Sequence, residues 1–295
     1  MRIVITTPTG NIGRRLVHDL LDQGGHELVL LARDPAKLEN EKERGATVLQ
    51  CDLTDESAVI EATKGADALF FLCPPDYQVA DFRAYYNRLA RNGAAAVQAN
   101  AIPHTVFLSS VGAHLPDGTG PIAGLYDGER IFSEATQGLT ILRPNFFMEN
   151  YFMQLDGIKA AGSIFMPVNG SRAFAMVATS DIGDRAAEII SGPVPASPTI
   201  VPVHGPREVS LDEAAQVIGE GSDREVNHVQ VEPAQARASM IEMGMSEGVA
   251  DTMLEMYAAF EAGRIVDDRP RTEENSGPTT FEMFVDGALG PAVRA

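Results

Sequence analysis

Apolar positions in the first half of the chain follow two alternating rhythms. Ile3-Val4-Ile5-Thr6 and residues 28–31 are short, continuous apolar runs, the mark of strands buried on both faces. Between them Ile12, Leu16, Val17, Leu20 and Leu21 recur at helical spacing from Asn11 onward, until Gly24-Gly25 stop the pattern. The alternation then repeats. Asp34-Pro35 opens a helix running to about Arg44, 47–50 is a strand, 54–63 a helix and 68–72 a strand. A long helix is predicted over 77–100 and a strand over 106–108. A Gly- and Pro-rich loop over 113–124 comes next, then a helix over 127–136 and a strand over 139–142. Six strands separated by helices predict an α/β, Rossmann-type doubly wound parallel sheet in the order 3-2-1-4-5-6, occupying residues 1–150.

After Asn150 the rhythm loosens. A helix is predicted over 152–161, a loop or short strand over 162–168, and a helix beginning at Ser180-Asp181. Strands over 199–203 and 226–231 flank a helix over 211–218 capped by Ser210. A Met-rich helical region over 233–261 suits adaptable core packing better than a metal or cofactor site. The expectation is a smaller α+β substrate lobe over 151–295, with an approximate, interleaving boundary, packed over the C-terminal edge of the sheet. The tail after Asp267 reads as partly loose, with Phe281, Met283 and Phe284 as anchors of a final helix.

The turn between the first strand and the first helix brings in chemistry. Its spacing is G-x-x-G-x-x-G with Thr7 in place of the first glycine and Gly10 and Gly13 in the other two positions. Gly10 lets the backbone approach a pyrophosphate, and Gly13 lets the helix pack close to the strand. Thr7 implies an altered turn, with its hydroxyl available to the cofactor. Arg33 sits just past the second strand, where an acid would hold the ribose hydroxyls of NAD(H). An Arg there pairs with a 2′-phosphate, so NADP(H) is expected over NAD(H), with Lys37 and Arg14 adding charge. The alternative is that Arg33 is a solvated surface charge. Asp52, after the third strand, suits the adenine amino group or a local turn before Thr54. Cys73-Pro74-Pro75 ends the fourth strand where this architecture borders its cofactor.

A net charge of −18 argues against a nucleic-acid or acidic-membrane partner, since both need a positive surface. Two cysteines, Cys51 and Cys73, form no metal-ligand or C-x-x-C pattern. They read as reduced thiols of a cytoplasmic protein. No charged leader precedes an apolar signal core, and no apolar stretch reaches bilayer length. The six histidines show no ligand spacing; His114 alone has a route to the cleft.

Four stretches resemble the NmrA-like family of atypical short-chain dehydrogenase/reductases: TTPTGNIGRRLV with LARDPAKL, FLSSVGAHLPDGTG, LTILRPNFFMENY and VATSDIGDRAAEII. The LRPxxFMEN segment is the most specific of them. The resemblance implies a Rossmann core, a small C-terminal lobe and NAD(P) binding. It places Thr9, Gly10, Asn11 and Ile12 on the phosphate loop and Arg33 at the 2′-phosphate. Asp52 and Leu53 fall beside adenine, Cys73 and Pro74 beside the ribose, and Ser109 and Ser110 near the nicotinamide. Pro144, Phe146 and Phe147 fall at the cofactor and substrate edge. The family includes NADPH-dependent quinone reductases, other enone and imine reductases, and dinucleotide-binding redox sensors that act through a protein partner.

The wider superfamily uses a Ser with a Y-x-x-x-K pair, the Lys lowering the Tyr pKa so that the phenol protonates a nascent alkoxide. Here Ser110 lies upstream of Tyr126-Asp127-Gly128-Glu129-Arg130, with Arg at the Lys spacing and Gly128 inside the motif. Tyr126 is a candidate proton donor or a loop tyrosine, and Ser110 a candidate partner or a strand terminator. Reduction of a quinone leaves a stabilised phenolate and needs no such acid. Phe146, Tyr151, Phe165 and Met166, with Phe147, are candidate walls for a flat small-molecule acceptor, or core residues between the lobes.

Overall fold

A computed structural model describes all 295 residues. The first half alternates as its apolar rhythm dictates: β1 (Arg2–Thr6), α1 (Asn11–Gln23), β2 (Glu27–Ala32), α2 (Glu39–Glu43), β3 (Thr47–Gln50), α3 (Glu56–Ala62), β4 (Ala68–Phe71), α4 (Phe82–Asn100), β5 (His104–Leu108), α5 (Pro121–Ala135) and β6 (Leu139–Pro144). The second half carries α6 (Leu155–Ala161), β7 (Ser163–Met166), β8 (Ala173–Phe174), α7 (Thr179–Ser191), β9 (Thr199–Val203) and β10 (Val209–Ser210). It continues through α8 (Leu211–Ser222), β11 (Asn227–Gln230), α9 (Pro233–Glu242), α10 (Glu247–Glu261), α11 (Phe281–Phe284) and α12 (Gly290–Arg294).

The main sheet has seven parallel strands in the order β3-β2-β1-β4-β5-β6-β9. The first six follow the predicted order, and β9 adds an edge strand against β6. Ile3, Ile5, Leu28 and Leu30 pack on the face shared with α1 and α7. Val4, Val29, Leu69 and Phe71 pack on the face shared with α3, α4 and α5. Strands covered on both sides have no solvent face, which is why their sequences are continuous apolar runs rather than alternations.

The second lobe is α+β: β8 pairs antiparallel with β10, and β7 pairs parallel with β11. The chain interleaves. α7 and β9 return to the sheet, so the lobe is assembled from residues on either side of them. α9 and α10 also lean back, burying Ala236, Met240, Val249 and Ala250 in the core beneath α4.

Two expectations are corrected. The predicted 77–100 helix begins at Phe82, where the Asp81 carboxylate accepts the Ala84 N–H and caps it, leaving 77–80 as loop. α5 starts at Pro121, six residues before its expected start at 127, because Gly120 at φ +59° and Pro121 at the first position form a helix start. Tyr126 is therefore inside a helix. The tail after Asp267 is a strap, exposed over 267–274 and bound further on. Thr279 donates its N–H and hydroxyl to Asp181, at 3.0 and 2.6 Å, and Phe281 and Phe284 are buried, while Met283 is exposed. No helix is long and apolar enough to cross a membrane.

Candidate functional site

Four strands of the sheet point their C-terminal ends at one cavity. Ile12 reaches it from the start of α1, just after β1, and Leu72 and Cys73 from the end of β4. Leu108 to Val111 come from the end of β5, and Asn145 to Phe147 from the end of β6. β1 and β4 are neighbours from which the chain proceeds in opposite directions, so this is the topological switch point of an open α/β sheet.

The turn after β1 is tight. Thr7 has φ +52°, the left-handed conformation that glycine adopts without cost. Its hydroxyl donates to the Thr6 carbonyl at 2.7 Å, so the expectation of a hydroxyl free to donate to a cofactor is corrected. A Cβ on Gly13 would lie 2.2 Å from the Thr7 carbonyl oxygen, which is why that position has no side chain. Gly10 caps α1 without any side-chain hydrogen bond, and no acidic residue lies in the first turn. The first N–H groups of α1 are thus left for an anion. Thr9 and Asn11 flank Gly10 in this turn.

A second groove, of about 670 Å³, adjoins the cavity through Pro75, Tyr77 and Met153. Arg33 lines it with Pro74 and Tyr85. The Arg33 guanidinium is exposed and makes no ion pair with the protein; its backbone carbonyl accepts from Gln50. Lys37 is exposed on the following turn and does not line the groove. Asp52 accepts the Thr54 N–H and hydroxyl, both at 2.9 Å, on the same oxygen, so the turn role is present and the second oxygen is free. That pairing, ahead of the field of Arg33, holds its pKa below the usual carboxylate value. Leu53 and Cys73 are buried, and burial pushes the Cys73 thiol well up, so it stays a thiol.

The free polar turn and the bare arginine fit a dinucleotide phosphate chain with a further phosphate at the ribose. Thr9, Gly10, Asn11, Ile12 and Gly13 would hold the former and Arg33 the latter.

The cavity, of about 420 Å³, is lined by 26 residues, none of them charged. Phe146, Phe147, Tyr151 and Met166 all contribute, as expected. Phe165 does not: it is 40% exposed on β7, turned toward Gly157, because alternate residues of a strand face opposite ways. Met253, Met256, Tyr257 and Phe260 of α10 form the far wall. Those methionines were expected to be core. Tyr77 and Tyr86 complete the wall, and no motif flagged them.

Ser109 and Ser110 line the cavity together. Ser109 is buried and donates to Glu129 Oε1 at 2.5 Å. Arg143 meets Glu129 bidentately, Nε to Oε1 at 2.8 Å and Nη2 to Oε2 at 2.6 Å, and donates to Asp268 of the strap at 2.8 Å. Asn145 donates to Asp267 at 3.0 Å. Pro144 is buried at the end of β6 within this frame. Glu149, half-buried, accepts the Thr179 N–H at 3.0 Å and so holds the start of α7. Burial, partly offset by those bonds, raises its pKa. The Arg and Glu of the LRPxxFMEN segment therefore hold the frame together.

Two expectations about acids are corrected. Tyr126 does not line the cavity; α5 turns Pro121, Ile122 and Leu125 inward and leaves Tyr126 beneath the Arg130 guanidinium, 5.9 Å from its ring centroid. Gly128 packs the helix on Phe107, 2.8 Å from where a Cβ would lie. His114 is also outside the cavity, with Nδ1 3.7 Å from Asp268. No cluster of metal-ligating residues is present.

Comparison with known proteins agrees with this geometry. An NAD(P)H azoreductase of Xenophilus azovorans is 28% identical over 257 residues, 87% of this chain and 86% of that one. Quinone oxidoreductase 2 of Escherichia coli is 25% identical over 284 residues, 94% and 95% of the two chains. The solved structure of an Escherichia coli NADPH-dependent quinone oxidoreductase complexed with NADPH superposes with a TM-score of 0.83 at 22% identity, covering 97% of this chain and 99% of that one. The sequence profile of the NmrA-like family matches residues 1–285, and the chain belongs to that family.

Proposed function

We propose that this protein is an NADPH-dependent reductase of a small, flat, electron-poor aromatic acceptor such as a quinone. The observation that carries the reading is the cavity itself: apolar, uncharged, and open at the switch point beside the glycine turn and Arg33. The relatives' names, an azoreductase and a quinone oxidoreductase, support the same acceptor chemistry.

NADPH, when bound, supplies the hydride. The chain's own contribution is to hold the two reactants in contact and dry. Thr9 to Gly13 fix the phosphates, Arg33 selects the 2′-phosphate, and Ser110 with Phe147 lies at the nicotinamide end. Phe146, Tyr151 and Met166 offer flat, polarisable surface to an aromatic ring. A quinone accepts the hydride without a dedicated acid because the product oxyanion is delocalised. The absence of Tyr126 from the cavity is compatible with that chemistry.

The test is NADPH oxidation by the purified protein with menadione as acceptor, followed by absorbance. Steady consumption above the uncatalysed rate supports the reading. Tight NADPH binding with no turnover for any quinone, azo compound, enone or imine would replace it with a dinucleotide sensor acting on a protein partner.

A further inference from the structure

The chain has no tryptophan and six tyrosines. Four of them line the one cavity, and Tyr126, the motif tyrosine, is not among them. Tyr77 comes from the loop before α4, Tyr86 from α4 and Tyr257 from α10. None of these three hydroxyls is hydrogen-bonded to another protein group, whereas the serine beside them, Ser109, is firmly paired. Stacking holds the rings in place. Phe82 lies between Tyr77 and Tyr86, with centroids at 6.5 and 4.4 Å.

Tyr151 carries the cavity's one fully buried, partnerless phenol, whereas the hydroxyls of Tyr77, Tyr86 and Tyr257 are not sealed from solvent and so are open to water or a ligand. No carboxylate, ammonium, guanidinium or imidazole lines the cavity. A charged ligand group entering it would lose hydration with no counter-charge to replace it.

We propose that Tyr77, Tyr86 and Tyr257 are the hydrogen-bond donors that recognise the acceptor's heteroatoms, and that the cavity selects uncharged multi-ring acceptors and rejects sulfonated or carboxylated ones. The proposal rests on the reading of this cavity as the acceptor site. Burial raises all three phenol pKa values, that of Tyr257 to about 12, so the hydroxyls stay protonated and donating at neutral pH. In quinone reduction the acceptor gains two electrons and one proton as hydride, NADPH becoming NADP⁺, and the product is the hydroquinone monoanion. The phenols hydrogen-bond to its oxyanion without losing their own protons, and the second proton arrives from solvent.

The experiment is equilibrium dialysis of the full chain against three probes: menadione, a naphthoquinone sulfonate and methylnaphthalene. NADPH binding is measured separately by the nucleotide's own fluorescence. Menadione binds, and the sulfonate binds at least tenfold more weakly. Tyr86→Phe and Tyr257→Phe each weaken menadione binding by about three- to tenfold, the effect of one lost hydrogen bond. Both leave methylnaphthalene binding unchanged, and the selective loss of menadione is the result that a purely structural role for the rings would not give.

Equal binding of sulfonate and menadione, or equal weakening of menadione and methylnaphthalene in the variants, would overturn the proposal. So would failure of menadione to bind a protein that binds NADPH. Selective menadione binding by a protein that does not bind NADPH would leave the cavity assignment standing and remove the reductase reading.

Discussion

Two regions at the same edge of the sheet treat their polar groups in opposite ways. Around the end of β6, Arg143, Glu129, Asp268 and Ser109 satisfy one another, and Asn145 holds Asp267. Around the ends of β1 and β2 and in the cavity, Gly10 caps a helix with no side chain, Arg33 has no ion-pair partner, and the four phenols have no protein partner. A buried charge must be paired or it destabilises the fold, so the first region is architecture. The second leaves its donors unpaired beside a cavity, which is the arrangement of a binding site. Ser109 belongs to both: it lines the cavity, but its hydroxyl is committed to Glu129.

The largest expected effect breaks the paired region. Arg143→Ala leaves the Glu129 carboxylate buried without its cation and frees the strap at Asp268. A loss of about 3–5 kcal/mol is expected, a fall in melting temperature on the order of 10 °C by calorimetry. Arg33→Ala tests the open region. It should weaken NADPH binding by about ten- to a hundredfold while leaving NADH binding nearly unchanged, with no change in melting temperature. Equal losses for both nucleotides would remove the 2′-phosphate role.

Thr7→Gly sharpens the comparison within the open region. The Thr7 hydroxyl bonds its own backbone, and the residue sits at positive φ. The substitution should raise stability by about 1 kcal/mol in denaturant unfolding and leave NADPH affinity unchanged.

The smallest effect is a pH dependence beside the paired region, at a histidine whose two ring nitrogens have no hydrogen-bond partner. His204 is fully buried 3.6 Å from Asp267, and burial lowers its pKa below the ordinary 6.5. The unfolded chain therefore binds more protons there, so stability falls as pH drops below about 6.5. Asp267, its pKa raised by burial, acts in the opposite sense and reduces that slope. Melting temperature should decline between about pH 7 and 5.5, and His204→Asn should flatten that slope.

Much of the fold was legible because a strand covered on both faces must be a continuous apolar run; the edge strand β3, Thr47–Gln50, is the exception, with exposed ends. The glycine turn was legible because Gly10 and Gly13 fall between such a strand and a helix. The cavity wall was less so. Tyr77 and Tyr86 sat inside a predicted helix, and Met253, Met256 and Tyr257 join them only through contacts across more than 160 residues of chain. A methionine at helical spacing looks the same whether it packs a core or a pocket. The start of α5 did carry a signal, Gly120-Pro121, and reading it would have turned Tyr126 away from the cavity at once. The Arg143–Glu129 pair had a subtler one: a cation ending an otherwise apolar strand needs a buried partner.

The unpaired groups at the sheet's edge are expected to hold a dinucleotide. The most direct test is a fluorescence titration of the purified protein with NADPH, with NADH alongside. Saturable binding with NADPH at least tenfold tighter, about 1.4 kcal/mol, is the predicted result. No binding of either nucleotide, or equal binding of both, would contradict it.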